Sequence, residues 1–114
     1  MSDDRENYYH EADLARFGEM GENVPELAKK FFDWYGAVFA DGALSAREKS
    51  LIALAVAHAV QCPYCIDAYS KDSLEKGADL DQMTEAVHVA AAIRGGASLV
   101  HGVQMRNHAL KIGM

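Results

Sequence analysis

Apolar residues recur along this chain at helical rather than strand spacing. Upstream of Phe39 they occupy positions i, i+4, i+7, i+8 and i+11, which form one face of an α-helix: Leu27, Phe31, Trp34, Tyr35 and Val38. Asn23 at the cap position, Pro25 in the first turn and Glu26 predict where this helix begins. We expect its aromatic-rich face to be buried.

A second helix is predicted by a capping box, in which Ser45 and Glu48 stand three residues apart. We expect this helix to continue to about Val60. From Leu51 onward its sequence is too apolar to face water on any side, so it should be the central, buried helix of the fold.

The chain restarts at Cys62-Pro63, because proline suits the first position of a helix. This places Cys62 at the cap and Cys65 in the first turn of a third helix, which should continue until Gly77. The segment from Asp79 to Gln82 repeats the capping pattern and predicts a further helix to about Arg94.

Gly95-Gly96 predicts a break, after which a last helix should extend from Ala97 to about Lys111. Residues 1–22 read as a tail with a short helix from about Glu11 to Glu19, and residues 23–114 as the domain proper. The sequence therefore predicts an all-α, single-domain helical bundle of five to six helices.

Composition narrows the classes of function. The chain has 114 residues, of which half are apolar and a quarter are charged, as in one globular domain. A net charge of −6 opposes binding to nucleic acid or anionic lipid, which require a basic surface. Neither a signal peptide nor an apolar run of the roughly 18 residues that a membrane span needs is visible. We expect a cytoplasmic protein that binds neither nucleic acid nor membranes.

Both cysteines lie in one Cys-x-x-Cys motif, Cys62 and Cys65. A disulfide closing so short a ring removes little entropy from the unfolded chain, so bracing the fold is a weak reason for it. In a reducing cytosol such a pair is typical of redox or metal chemistry. The helix start stabilises a thiolate, so we expect a lowered thiol pKa and expect Cys62, at the cap, to be the more acidic and more exposed thiol.

Two further side chains share the helical stripe of the thiols. His58, Cys62, Cys65 and Tyr69 stand at i, i+4, i+7 and i+11. The histidine could accept or return the thiol proton, and the tyrosine could pass on a hydrogen bond. Glu48 falls near the same face, although its capping box already gives it a structural role.

Three segments carry a family resemblance: Leu51-Ile-Ala-Leu-Ala-Val-Ala, Cys62-Pro-Tyr-Cys65-Ile-Asp and Glu85-Ala-Val-x-Val-Ala-Ala-x-x-Arg94-Gly-Gly-Ala. Over roughly residues 24 to 110 the chain resembles the carboxymuconolactone decarboxylase superfamily, in its alkylhydroperoxidase D-like branch. The resemblance implies an all-helical protomer, assembly into homotrimers or hexamers, and a cysteine-based peroxidase or disulfide-reductase activity. It also implies that Cys65 attacks the peroxide and that Cys62 resolves the product.

The chain departs from the family motif at two positions. The family has a glutamate twelve residues before the first cysteine and a histidine four after the second, where this chain has Ser50 and Tyr69. We hypothesise that His58 replaces the lost proton relay, with Tyr69 as its hydrogen-bond partner across the thiols. The Tyr69 variant also resembles a peroxidase-like subgroup linked to arsenosugar biosynthesis.

The sequence thus predicts a homo-oligomer that reduces a peroxide through a Cys62/Cys65 dithiol–disulfide cycle. An unidentified thiol reductant would restore the pair, and the cycle needs no metal, flavin or haem. Two alternatives are an acid–base enzyme of the carboxymuconolactone decarboxylase type and a non-enzymatic carrier of a thiophilic metalloid such as arsenic. For the pair itself, a zinc site with His58 as third ligand and inert buried thiols also remain open.

Overall fold

Five helical segments, and no strand, make up residues 8–113, the part of the chain that the computed structural model describes. A 3₁₀-helix comes first and four α-helices follow: Glu11–Gly21, then α1 (Pro25–Phe39), α2 (Ala46–Ala59), α3 (Pro63–Glu75) and α4 (Leu80–Ile112). The predicted all-α class and the number of helices are confirmed. Part of the predicted N-terminal tail, residues 1–7, lies outside the described residues.

Both predicted capping boxes form. The Ser45 hydroxyl accepts the Glu48 N–H at 3.1 Å, and the Ser45 N–H donates to the Glu48 carboxylate at 2.9 Å. Asp79 and Gln82 form the same reciprocal pair at 2.8 and 3.0 Å. Each box satisfies N–H groups that a helix start leaves without intrahelical partners, which explains why short sequence signals place these two helices correctly.

The predicted start of α1 is wrong by one residue. Val24, not Asn23, is the cap, and its side chain makes no capping hydrogen bond. The residue before a proline is driven away from helical geometry, so the helix begins at Pro25 whatever cap lies upstream.

The predicted break at Gly95-Gly96 is also wrong, because α4 continues through both glycines for 33 residues. Each interior glycine costs about 1 kcal/mol of helix propensity relative to alanine, but it forbids nothing in helical geometry. A helix stops readily where a glycine turns left-handed, and here that happens at Gly113, with φ 102°.

The core lies where α2 packs against α3 and α4. Leu54 and Ala57 of α2 are 1 % exposed, and Ala78 and Met83 close over them. Arg94 fixes the register of α4 by donating a hydrogen bond of 2.5 Å to the Ala59 carbonyl at the end of α2.

The expectation that α2 is buried on every side is wrong for the single chain, since Ile52 and Val56 of α2 and Val60 directly after it are exposed. The aromatic face of α1 is exposed in the same way, with Leu27 and Trp34 at 65 %. Both differences have one cause. Within residues 8–113 these two helices have packing neighbours on one side only, so some of the apolar faces that the sequence pattern predicts to be buried remain exposed in a single chain.

The protomer is extended rather than spherical. Its radius of gyration is 19.0 Å, whereas about 13 Å is expected of a compact domain of this length. The cause is the C-terminal half of α4, whose apolar side chains lie in solvent: Leu99, Val100, Val103, Met105, Leu110 and Ile112. None of the helices within residues 8–113 is long and apolar enough to cross a membrane.

Candidate functional site

The two thiols meet at the start of α3. Cys62 is the cap residue and its sulfur accepts the backbone N–H of Cys65 at 3.3 Å, as predicted from Cys62-Pro63. The two sulfur atoms lie 2.8 Å apart, within hydrogen-bonding distance, and both cysteines are free and half-buried. Gln61, in left-handed geometry at φ 58°, turns the chain from α2 into α3. This turn brings Cys62 close to the end of α2, where its N–H donates to the Ala57 carbonyl at 3.0 Å.

The Cys65 thiol has a raised pKa. Burial, and then the hydrogen bond and charge of Cys62, together raise the pKa of the Cys65 thiol to about 11. The predicted lowering of the thiol pKa is therefore wrong for Cys65. The helix start does not lower this pKa because the Cys65 N–H is directed at the Cys62 sulfur, while the Cys65 thiol itself is partly buried.

Two cavities open onto Cys65. The larger, of about 610 Å³, is lined by both cysteines and by residues of the 3₁₀-helix. The smaller, of about 450 Å³, lies between α1 and α2 and is lined by Cys65 but not by Cys62. Both volumes are in the range of small-molecule sites. Cys65 is thus the sulfur that a molecule in either cavity would meet.

Tyr69 and Tyr35 stand between the two cavities and line both. Their hydroxyl groups share a hydrogen bond, and Phe39 stacks on the Tyr69 ring with centroids 5.1 Å apart. Burial, and then the Tyr35 hydrogen bond, raise the pKa of Tyr69 far above its ordinary value of 10.0, and the charge of Cys65 adds to the rise. Tyr69 therefore stays protonated at neutral pH and can donate a hydrogen bond beside the thiol, although it cannot act as a base.

The other predicted site residues lie outside both cavities. Nδ1 of His58 bonds the Leu54 carbonyl at 2.8 Å, and because a carbonyl only accepts, Nδ1 is the donor and only Nε2 remains for another partner. Among residues 8–113 no hydrogen bond joins His58 to a thiol or to Tyr69, so the predicted His58–Tyr69 pairing is not formed. A catalytic role for His58 stays a prediction.

Ser50 and Glu48 have structural partners. Ser50 is fully buried and its hydroxyl lies 3.1 Å from that of Ser73 on α3, so a neutral pair bridges α2 and α3 where the family motif has a carboxylate. Glu48 is exposed in its capping box, and the Ser45 backbone and side chain lower its pKa. No group of three or more His, Cys, Asp or Glu side chains converges to hold a metal ion within the described part of the chain.

Tyr35 was not identified as a site residue from the sequence, because Tyr35 belongs to an aromatic run that is typical of core packing. The signal that could have found it is its hydroxyl, which on an apolar helix face needs a partner. The cavity wall supplied by the 3₁₀-helix was missed as well, because nothing local in residues 11–21 points to α3.

Comparison with known proteins identifies the family of this chain. Residues 25–105 match the carboxymuconolactone decarboxylase family. An uncharacterized protein of the cox locus of Paracoccus denitrificans is 44% identical over 87 residues, 76% of this chain and 78% of its own. An uncharacterized protein of Haemophilus influenzae is 38% identical over 58 residues, half of each chain.

Two solved structures have the same fold. One is a protein from Methanobacterium thermoautotrophicum, with a TM-score of 0.71 and 36% identity over 74% of this chain and 94% of its own. The other is the apo form of a carboxymuconolactone decarboxylase family protein from Legionella pneumophila, with a TM-score of 0.68 and 32% identity over 82% of this chain and 84% of its own. This chain therefore belongs to the carboxymuconolactone decarboxylase family.

Proposed function

We propose that this protein is a thiol peroxidase that reduces an organic hydroperoxide through a Cys62/Cys65 dithiol–disulfide cycle. The observation that carries the proposal is the pair of free thiols, 2.8 Å apart, at the junction of two cavities. Hydrogen peroxide has two heavy atoms and would leave a cavity of about 610 Å³ almost empty. An organic substituent on the peroxide would fill it.

The chemistry starts at Cys65, the sulfur common to both cavities. Its thiolate attacks the terminal peroxide oxygen and the O–O bond breaks. The alkoxide takes up the thiol proton and leaves as an alcohol, so the peroxide gains two electrons and Cys65 becomes a sulfenic acid. The Tyr69 hydroxyl keeps its proton at neutral pH and lines both cavities with Cys65, and in this proposal it donates a hydrogen bond to the developing alkoxide.

Cys62 completes the cycle. Its sulfur attacks the Cys65 sulfenic sulfur, a water molecule leaves, and the disulfide forms between atoms already in contact. A dithiol reductant then returns two electrons and two protons. Nε2 of His58 is free to accept a proton, and it enters the proposal as an acceptor reached through water.

Assembly into a homo-oligomer belongs to the same proposal. The apolar C-terminal half of α4, with Leu99 81 % exposed and Val103 51 %, has no packing partner among residues 8–113. A second copy of the chain is the simplest cover for so long an apolar helix. Sedimentation should give a mass that is a multiple of the protomer, and Leu99→Asp/Val103→Asp should reduce it.

The test of activity is consumption of cumene hydroperoxide with dithiothreitol as reductant. Wild type should turn over and Cys65→Ser should be inactive, while Cys62→Ser, mixed with peroxide in the absence of dithiothreitol, should consume one equivalent and accumulate the sulfenic acid. Undiminished turnover by a variant lacking both cysteines would overturn the proposal. So would tight stoichiometric binding of arsenite without peroxide turnover, the behaviour of a metalloid carrier.

A second experiment addresses His58. The pH dependence of peroxide reduction in His58→Ala is the readout, and a changed profile is expected if Nε2 accepts the proton. An unchanged profile would remove His58 from the mechanism while leaving the cysteine cycle intact.

A further inference from the structure

The 3₁₀-helix Glu11–Gly21 lies outside residues 25–105, the segment that matches the family, and yet it forms one wall of the larger thiol cavity. Leu14, Phe17 and Met20 face the cavity from this helix, opposite Cys62 and Cys65. Access to the thiols from this side is therefore bounded by a segment that is not part of the family match.

The wall is anchored at both ends. The Tyr9 hydroxyl is hydrogen-bonded to the Asp67 carboxylate on α3, and its ring meets the Tyr64 ring edge to face at 5.0 Å. At the other end Phe17 packs against Phe32 of α1 at 5.1 Å. Gly21 lies so close to α1 that a Cβ there would be 2.6 Å from that of Ala28. These contacts hold residues 9–21 across the opening from α3 to α1.

This wall carries a net negative charge. Among residues 8–113, Asp13, Arg16 and Glu19 of the helix and Glu22, the residue directly after it, line the cavity, so three carboxylates oppose one guanidinium. Arg16 is engaged by both Glu19, at 2.8 Å, and Asp13, at 3.5 Å, and is not free to attract an anion. No lysine lines this cavity. A neutral or cationic molecule enters such a site more easily than an anion of the same size.

We propose that the 3₁₀-helix Glu11–Gly21 is the specificity-determining wall of the thiol cavity and admits uncharged or cationic organic hydroperoxides in preference to anionic ones. The identity of the substrate as a hydroperoxide rests on the function proposed above. The selection by charge does not depend on that function, because it acts on any reagent that approaches the two sulfurs.

Alkylation of the thiols tests the wall without any turnover. Iodoacetamide and iodoacetate are similar in size and differ in charge, so the ratio of their rates at Cys62 and Cys65, measured by mass spectrometry, cancels changes in thiolate content. In water, a carboxylate at a separation of roughly 8 Å disfavours the anion by a factor of about 2.4, so Glu19→Gln/Glu22→Gln should raise the iodoacetate-to-iodoacetamide ratio about five- to sixfold.

A matched control removes the same two charges elsewhere. Glu75→Gln/Asp81→Asn changes exposed residues that line neither thiol cavity, and its ratio should stay within about twofold of wild type. About 1 M salt should abolish most of the difference between the wall variant and wild type. An unchanged ratio in the wall variant, or an equal change in the control, would overturn the proposal.

The anchor is tested by Tyr9→Phe, which removes the hydroxyl that bonds Asp67 and keeps the ring on Tyr64. Both reagents should react severalfold faster, and hydrogen exchange in residues 11–21 should rise. Tyr8→Phe is the control, since Tyr8 is 82 % exposed and should change neither readout. Unaltered alkylation in Tyr9→Phe would show that the wall does not limit access.

The final arm compares kcat/KM for linoleic acid hydroperoxide and its methyl ester. Wild type should prefer the ester, and Glu19→Gln/Glu22→Gln should narrow the preference. If neither is reduced while the alkylation ratios shift as expected, the peroxidase proposal fails and the charge-selecting wall stands. If both are reduced equally well by wild type and variant, the wall is wrong and the peroxidase stands.

Discussion

Titration of Cys65 is the most direct test of the site, because its raised pKa follows from where the sulfur lies. With a pKa of about 11 instead of the ordinary 9.0, only about one Cys65 in a thousand is thiolate at pH 8, against about one in ten for an unperturbed cysteine. A more basic thiolate is intrinsically more nucleophilic, by roughly eightfold for two pKa units. We therefore expect alkylation at pH 8 about tenfold slower than that of an exposed cysteine.

The assay is iodoacetamide labelling of Cys65 between pH 7 and 11.5, followed by mass spectrometry so that each cysteine is read separately. The rate at Cys65 should rise about tenfold per pH unit and level off only near pH 11. In Cys62→Ala the midpoint should fall part of the way toward 9.0, because the hydrogen bond and charge of Cys62 are gone but burial, the larger cause, remains.

A midpoint at or below pH 9 in wild type would refute the reasoning, since it would mean that the helix start outweighs burial at this sulfur. The pH dependence of the free energy of unfolding gives a second check of the raised pKa. Because the folded pKa is raised, the folded state holds the proton longer, so the free energy of unfolding should decrease as the pH rises from about 9 to 11. An increase over that interval would contradict the burial of Cys65.

Three further predictions concern the fold, each measured by urea denaturation at fixed protein concentration. Ser50→Ala leaves the buried Ser73 hydroxyl without its partner and should cost about 1–3 kcal/mol, whereas adding Ser73→Ala should cost little more; additive losses would refute the pair. Ser45→Ala removes one half of a capping box and should cost about 1 kcal/mol, which an unchanged midpoint would contradict. Leu54→Ala opens a cavity in the core and should cost about 2–5 kcal/mol, and a loss below 1 kcal/mol would mean that the core is not where α2, α3 and α4 meet.

The sequence alone predicted those structural features that depend on residues no more than four positions apart. The two capping boxes and the cap position of Cys62 are of this kind, since a side chain that satisfies the next free N–H groups places a helix start without reference to the rest of the fold. The family resemblance depends on the same kind of local signal, and the all-α fold and the family were confirmed, whereas the redox chemistry of the Cys-x-x-Cys pair stays a prediction.

The tertiary structure alone decided which groups surround the thiols. Tyr35 reaches Tyr69 across 34 residues, and Tyr9 reaches Asp67 across 58. His58 lies on the helical stripe of the thiols by spacing, but its Nδ1 bonds the Leu54 carbonyl of its own helix. Helical periodicity specifies a direction around one axis, but the partner in that direction depends on the packing of several helices. The same reason explains why apolar faces of α1 and α2 that the sequence predicts to be buried remain exposed in one chain.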